Sequence, residues 1–215
     1  MKSISLIIAI AMSVSLIAQN NEKGDKKSNE IMDKFTVKTE SYNNFMAEFT
    51  YKMENEEAGI DESKVGELTV EGNKYNLKIA GQEVISDGET IWTYIEDAEE
   101  VQVNDVEEGE DAITPNNLLT AYNKDYKSNF VKEAFVYGTS AYIIDLKPSE
   151  GKSFSKVRLT IDKEELQILE ITIFDKNGST YSYIISKFDP NIEIDEGLFS
   201  FDSNKFPDVD VVDMR

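Results

Sequence analysis

The sequence predicts a mainly β protein built on one large antiparallel sheet, strongly curved or closed, and three observations predict it. Apolar and polar residues alternate with period two from Phe45 to Met53, again from Gly66 to Val70, and again from Asn73 to Ile79. Turn residues recur at short intervals between such runs: Glu71-Gly72-Asn73, Ala80-Gly81-Gln82, Asp87-Gly88 and Asp175-Lys176-Asn177-Gly178. Stripes at helical spacing, by contrast, occur only twice.

Taken in order, the chain opens on Met1-Lys2 and an apolar stretch from Ile4 to Ile17, closed by Ala18 and polar Gln19-Asn20. This is the pattern of a cleaved secretory signal over residues 1–18, a retained membrane anchor being the weaker reading. Residues 19–215 then form a single domain. Asn20 to Ser28 is polar and lysine-rich and reads as a disordered tail. Ile31, Met32 and Phe35 mark a short helix with Ser28 or Asn29 as its cap. In the first strand Phe45, Ala47, Phe49, Tyr51 and Met53 share one side. Further strands are expected at Glu99 to Val103, Phe130 to Tyr137, Ala141 to Leu146, Lys156 to Ile161, Gln167 to Phe174 and Thr180 to Phe188. Asn104 to Asp111 is acidic and reads as a mobile loop. Thr114-Pro115 supplies an N-cap with proline at the first helical position, and Leu118, Leu119, Tyr122 and Tyr126 give the second helical stripe.

Composition excludes several function classes. With 42 acidic against 22 basic residues and a net charge of -20, the chain repels polyanions, so neither nucleic acid nor anionic lipid headgroups are expected partners. A hydrophobic content of 40% with 10% aromatics is enough to fill the core of one domain. Cysteine is absent, so an exported chain has neither disulfides nor a lipidated cysteine.

Catalytic chemistry finds no foothold either. Without His or Cys the commonest general base, the usual zinc ligands and the thiolate nucleophile are missing, and no enzyme activity, metal or cofactor is expected. Two Ser-x-x-Lys matches, Ser149 to Lys152 and Ser153 to Lys156, have no accompanying motif set. Asp175-Lys176-Asn177-Gly178 begins like a calcium loop, but Ser186 stands where the closing Glu is needed, so a hairpin turn is the better reading. Asn177-Gly178-Ser179 matches a glycosylation sequon within the same turn.

An apolar-ligand site survives this elimination. Tyr75, Leu77 and Ile79 fall on one side of their strand, and Leu68 and Val70 are read onto both sides of theirs. Trp92 and Tyr94 share one side of a third, against Ile91, Thr93 and Ile95 on the other. Periodicity alone favours ordinary core packing against the two helices, since a sheet core and a lipid pocket use the same residues.

Several blocks in order shift that balance. Phe45-x-x-x-Phe49, Gly66-Glu67-Leu68, Ser86-Asp87-Gly88-x-Thr90-x-Trp92-x-Tyr94, the Thr114-Pro115 helix and the ending from Phe199-x-Phe201 to Asp213-Met214-Arg215 together resemble the periplasmic outer-membrane lipoprotein carrier family, LolA. The resemblance implies an incomplete, half-open antiparallel β-barrel with a short helical lid and an apolar cavity between them. It implies a monomeric, soluble periplasmic protein that shields the acyl chains of lipoproteins and shuttles them from an inner-membrane exporter, with an outer-membrane receptor as a further partner. On this reading the acyl-chain cavity is lined by Phe45, Phe49, Leu68, Val70, Tyr75, Leu77, Ile79, Val84, Trp92 and Tyr94. The lid carries Pro115, Leu118, Leu119 and Tyr122. Carriers or sensors of another lipid or glycolipid on the same fold are the alternative, and a structural β-domain is a third. One departure stands out: the family's arginine just before the strand of Tyr75 is replaced by Glu71-Gly72, and the arginines here are Arg158 and Arg215.

Overall fold

The computed structural model describes residues 26–106, 126–148, 152–205 and 209–215. A helix, α1 (residues 26–40), precedes twelve strands. In chain order they are β1 (Asn44–Asn55), β2 (Ile60–Glu71), β3 (Lys74–Ile79), β4 (Gln82–Ser86), β5 (Thr90–Ile95), β6 (Glu100–Asp105), β7 (Tyr126–Val136), β8 (Thr139–Pro148), β9 (Phe154–Asp162), β10 (Ile168–Asp175), β11 (Thr180–Pro190) and β12 (Asp210–Asp213). They form one sheet in the order β12-β6-β5-β4-β3-β2-β1-β11-β10-β9-β8-β7. The sheet is thus an incomplete barrel with β12 and β7 as its edges.

The local chemistry explains the meander. Ala80-Gly81 and Tyr137-Gly138 join adjacent strands through two residues at positive φ, 54° and 76° in the first and 52° and 82° in the second. This geometry twists in the sense the strands require. Register irregularities at Glu48/Phe49, Phe130/Lys132 and on both ends of the β9–β10 ladder add local bend, which a sheet needs in order to curl around a helix.

On the concave side α1 buries Ile31, Met32 and Phe35 against Phe45, Ala47, Val70 and Tyr75 and against Ile144, Leu146, Val157, Leu159, Ile161 and Ile171. Phe35 is 1% exposed, and Ile144, Leu146, Leu159 and Ile161 are fully buried. Burial of each such side chain stabilises the fold by about 1.5–3 kcal/mol. The helix is the lid of the half-barrel.

The opposite, convex face is covered by the chain after β11, which crosses back over the sheet to pair β12 with β6. Leu198 O accepts a hydrogen bond from Asn76 Nδ2 at 3.1 Å; Phe199 is buried, and so are Thr69, Asn76, Ile85 and Val103 on the convex row that holds Asn76.

Three sequence expectations are corrected here. Helix α1 already includes residues 26–28, so Ser28 and Asn29 lie inside it rather than capping it. Ser28 is buried and shares a 2.9 Å hydrogen bond with Ser128 on β7. Tyr126 is the first residue of β7 and stacks on Phe154 at 6.3 Å, so it belongs to no helical stripe. Asn104 and Asp105 continue β6 instead of starting a loop. The open antiparallel sheet is as expected, and the short β12 joins its edge parallel to β6.

Candidate functional site

In an unbroken ladder, directly opposed residues share a face, so register sorts every candidate side chain. From Phe45 the concave face runs through Val70, Tyr75 and Ser86 to Ile91. From Phe188 it runs through Ala47, Leu68, Leu77 and Val84 to Thr93. From Ile185 it runs through Phe49, Gly66, Ile79 and Gln82 to Ile95. Eight of the ten residues expected to line a cavity therefore share one concave surface: Phe45, Phe49, Leu68, Val70, Tyr75, Leu77, Ile79 and Val84.

The other two do not. Trp92 stands opposite Ile85 and Val103, and Tyr94 opposite Glu83 and Val101, all on the convex face. Trp92 is in one row with Ile85 and Asn76, and Asn76 is hydrogen-bonded to Leu198 of the C-terminal segment. Tyr94 ends a polar row that continues through Glu83, Lys78, Glu67 and Glu48 to Lys187. The concave positions on β5 are Ile91, Thr93 and Ile95. Both sides of β5 carry apolar residues, so alternation could not decide the face; only the pairing partners do. Leu68 and Val70 are likewise corrected to one side, as residues two apart in a strand must be.

Coverage of the concave face is uneven. Beneath α1 the apolar side chains of β8, β9 and β10 are closed to solvent, whereas Leu68, Leu77, Ile79, Val84, Ile91 and Ile95 at the β2–β5 end are only half-buried. Contiguous half-covered apolar surface of this kind is what a ligand or partner removes from water. Pro115, Leu118, Leu119 and Tyr122, expected on a second lid helix between β6 and β7, lie outside the described residues.

Helix α1 is tied to the sheet by polar contacts as well. Lys27 Nζ donates to Glu133 Oε1 at 2.7 Å and sits 3.9 Å from the centre of the Phe130 ring. Lys163 Nζ donates to the other Glu133 oxygen at 2.6 Å. Hydrogen bonds from these two ammonium groups hold the Glu133 carboxyl down at about 2. Ser128 Oγ also donates to Asn29 Oδ1 at 2.6 Å.

Among the described residues Arg158 is paired with Asp145 and not with α1. Its Nε and Nη2 donate to Asp145 Oδ1 and Oδ2 at 2.7 and 3.0 Å, with Lys156 Nζ at 2.8 Å from Oδ2. Arg158 and Asp145 are opposed on the convex face. Burial raises the Asp145 carboxyl, but the bonds from Arg158 and Lys156 outweigh it and leave the group below its ordinary range. Arg215 pairs with Asp213 at the end of β12.

Motifs that suggested other chemistry resolve into structure. Asn177-Gly178-Ser179 lies in the β10–β11 turn, with Asn177 N–H bonded to Asp175 Oδ1 and Ser179 Oγ accepting from Asn55 Nδ2. Lys156, the lysine of one Ser-x-x-Lys match, is bound to Asp145. Among the described residues no group of acidic side chains has a metal-binding arrangement, and no helix is long and apolar enough to cross a membrane.

The model of the family described as "Outer membrane lipoprotein carrier protein LolA" matches residues 40–202. No curated protein sequence matches the chain significantly. Among solved structures, an uncharacterized conserved protein from Thermus thermophilus superposes with a TM-score of 0.59 at 13% identity, over 87% of this chain and 99% of that one. A putative outer membrane lipoprotein-sorting protein domain from Vibrio parahaemolyticus gives 0.46 at 12% identity, over 82% and 97%. A LolA superfamily protein from Nitrosomonas europaea gives 0.42 at 10%, over 79% and 97%.

Proposed function

Because the chain belongs to the outer membrane lipoprotein carrier protein LolA family, we propose that it is a periplasmic carrier that shields lipoprotein acyl chains on its concave face and shuttles them from the inner to the outer membrane. The observation that carries this reading is the half-covered apolar surface formed by Leu68, Leu77, Ile79 and Val84 beyond the edge of α1. Each methylene moved from water onto it contributes about 0.8 kcal/mol, so partial shielding of even one chain outweighs the displacement of a small lid. Release then requires only a better apolar site downstream.

The proposed role needs no catalysis, because a carrier fed by an inner-membrane exporter runs on affinity differences alone. An acidic, cysteine-free chain with the signal pattern of residues 1–18 suits a soluble periplasmic monomer. An outer-membrane receptor is the expected acceptor.

Mass spectrometry of material copurifying with the protein from the cell envelope tests the reading. Acylated lipoproteins are expected in the purified fraction, and site-specific photo-crosslinkers at Leu77 and Val84 should capture them. Recovery of free glycolipid without lipoprotein would move the protein to the other lipid carriers, and recovery of no lipid at all would sink the carrier reading.

A further inference from the structure

The concave face changes character along β1 and β2. Beyond Phe49 and Gly66 the next opposed row is Lys64, Tyr51 and Tyr183, and the one after it is Glu62, Met53 and Tyr181. Tyr51 and Tyr183 pack at 5.4 Å between ring centres, and Tyr183 meets Phe49 at 5.8 Å. All three tyrosines are half-buried. Among the described residues their hydroxyls have no hydrogen-bond partner, while their rings continue the apolar floor. Packing alone would be served by phenylalanine, as it is one row away at Phe49. A tyrosine that buries its ring and leaves its hydroxyl unbonded marks a boundary between an apolar and a polar environment.

Resting on the acyl-carrier reading above, we propose that Tyr51, Tyr181 and Tyr183, with Lys64, are the mouth of the site and bind the ester and amide carbonyls at the head of an acylated ligand. Such carbonyls are acceptors only, and a neutral phenol and an ammonium are donors that suit them. Burial, with neighbouring tyrosines, raises the ionisation of Tyr51 and Tyr183 above the ordinary phenol value, so both keep their protons. Lys64 stands opposite Tyr51 and lies 3.9 Å from Glu62, which holds a cation at the rim of an otherwise acidic protein. The spacing fits as well. Tyr51 is four residues from Ala47 along β1, about 13 Å, so chains of ordinary length anchored at the tyrosines reach the half-covered surface at Leu68 and Leu77.

The test compares two fluorescent probes on the full mature chain: a synthetic triacylated lipopeptide, and a fluorophore carrying two hexadecyl chains with no carbonyl. The triple variant Tyr51→Phe/Tyr181→Phe/Tyr183→Phe should lose about tenfold or more in affinity for the lipopeptide and less than about twofold for the carbonyl-free probe. If the triple variant does not fold, Tyr51→Phe alone should show the same split at about threefold. Unchanged lipopeptide affinity, or equal loss for both probes, overturns the mouth while leaving the acyl-chain reading standing. Failure of the wild-type chain to bind either probe overturns the acyl-chain reading itself and this inference with it.

Discussion

The ring of Phe49 lies across Gly66. The two residues are directly opposed on β1 and β2, and a methyl carbon at Gly66 would stand 2.5 Å from Phe49 Cζ and 3.1 Å from the Lys78 carbonyl oxygen. Glycine is needed here for space, not for backbone freedom. Phe49 is 4% exposed and held against Tyr183, so its ring has little room to yield. Gly66→Ala should destabilise the fold by about 1–3 kcal/mol, the usual range for overpacking, in urea unfolding. Phe49→Leu in the same chain should recover part of the loss. A Gly66→Ala protein as stable as wild type would show that the ring moves freely.

Asp145 gives a pH prediction of definite sign. Its carboxyl is depressed in the folded protein because Arg158 and Lys156 outweigh its burial, so its contribution is fully present above the ordinary carboxylate range. That contribution disappears as pH falls through and below that range. Asp145→Ala should therefore cost about 2 kcal/mol or more at neutral pH, since it strands two partly buried cations, and the gap to wild type should close in acid. Equal stability of the two proteins at pH 7 would count against the network.

Most strands are legible in the sequence because their alternation and turns are local properties of the chain. What escapes has specific causes. The first turn of α1 is hidden by polar Lys27, Ser28 and Asn29, whose partners Glu133 and Ser128 lie on the distant β7. Strand β12 is four exposed residues with no alternation, made a strand only by β6. The face of Trp92 depends on pairing, because both sides of β5 are apolar. The shared concave face of Phe45, Phe49, Leu68, Val70, Tyr75, Leu77, Ile79 and Val84 is readable because their strands alternate cleanly. The tyrosine rim is not, because alternation places Tyr51 on the apolar side of β1 without showing that the β11 tyrosines stand beside it.

The Glu133 staple should govern how firmly α1 closes over the sheet. Its carboxyl, held at about 2 by hydrogen bonds from Lys163 and Lys27, stays paired above the ordinary glutamate value and loses its pairing as pH falls through about 2. Glu133→Gln should speed hydrogen exchange in α1 at neutral pH with little change in the β8–β10 core, and added salt should reduce the difference because the ion pair is exposed. Uniform acceleration across the sheet would mean that the residue supports the whole fold rather than the lid.

Trp92 permits a direct test of the face assignment, since it is the chain's single tryptophan. It shares its side of the sheet with Asn76 and Ile85, and Asn76 is bonded to the C-terminal crossing at Leu198. A ligand entering the concave face would meet Ile91, Thr93 and Ile95 on this strand and leave the indole untouched. Tryptophan emission should therefore stay constant as an acylated probe binds. Removal of residues 197–215 strips Phe199 from the convex face and β12 from the edge of the sheet beside β6, and should shift the emission to the red. The reverse pattern, a shift on ligand binding and none on truncation, would place the indole in the cavity and overturn the register argument.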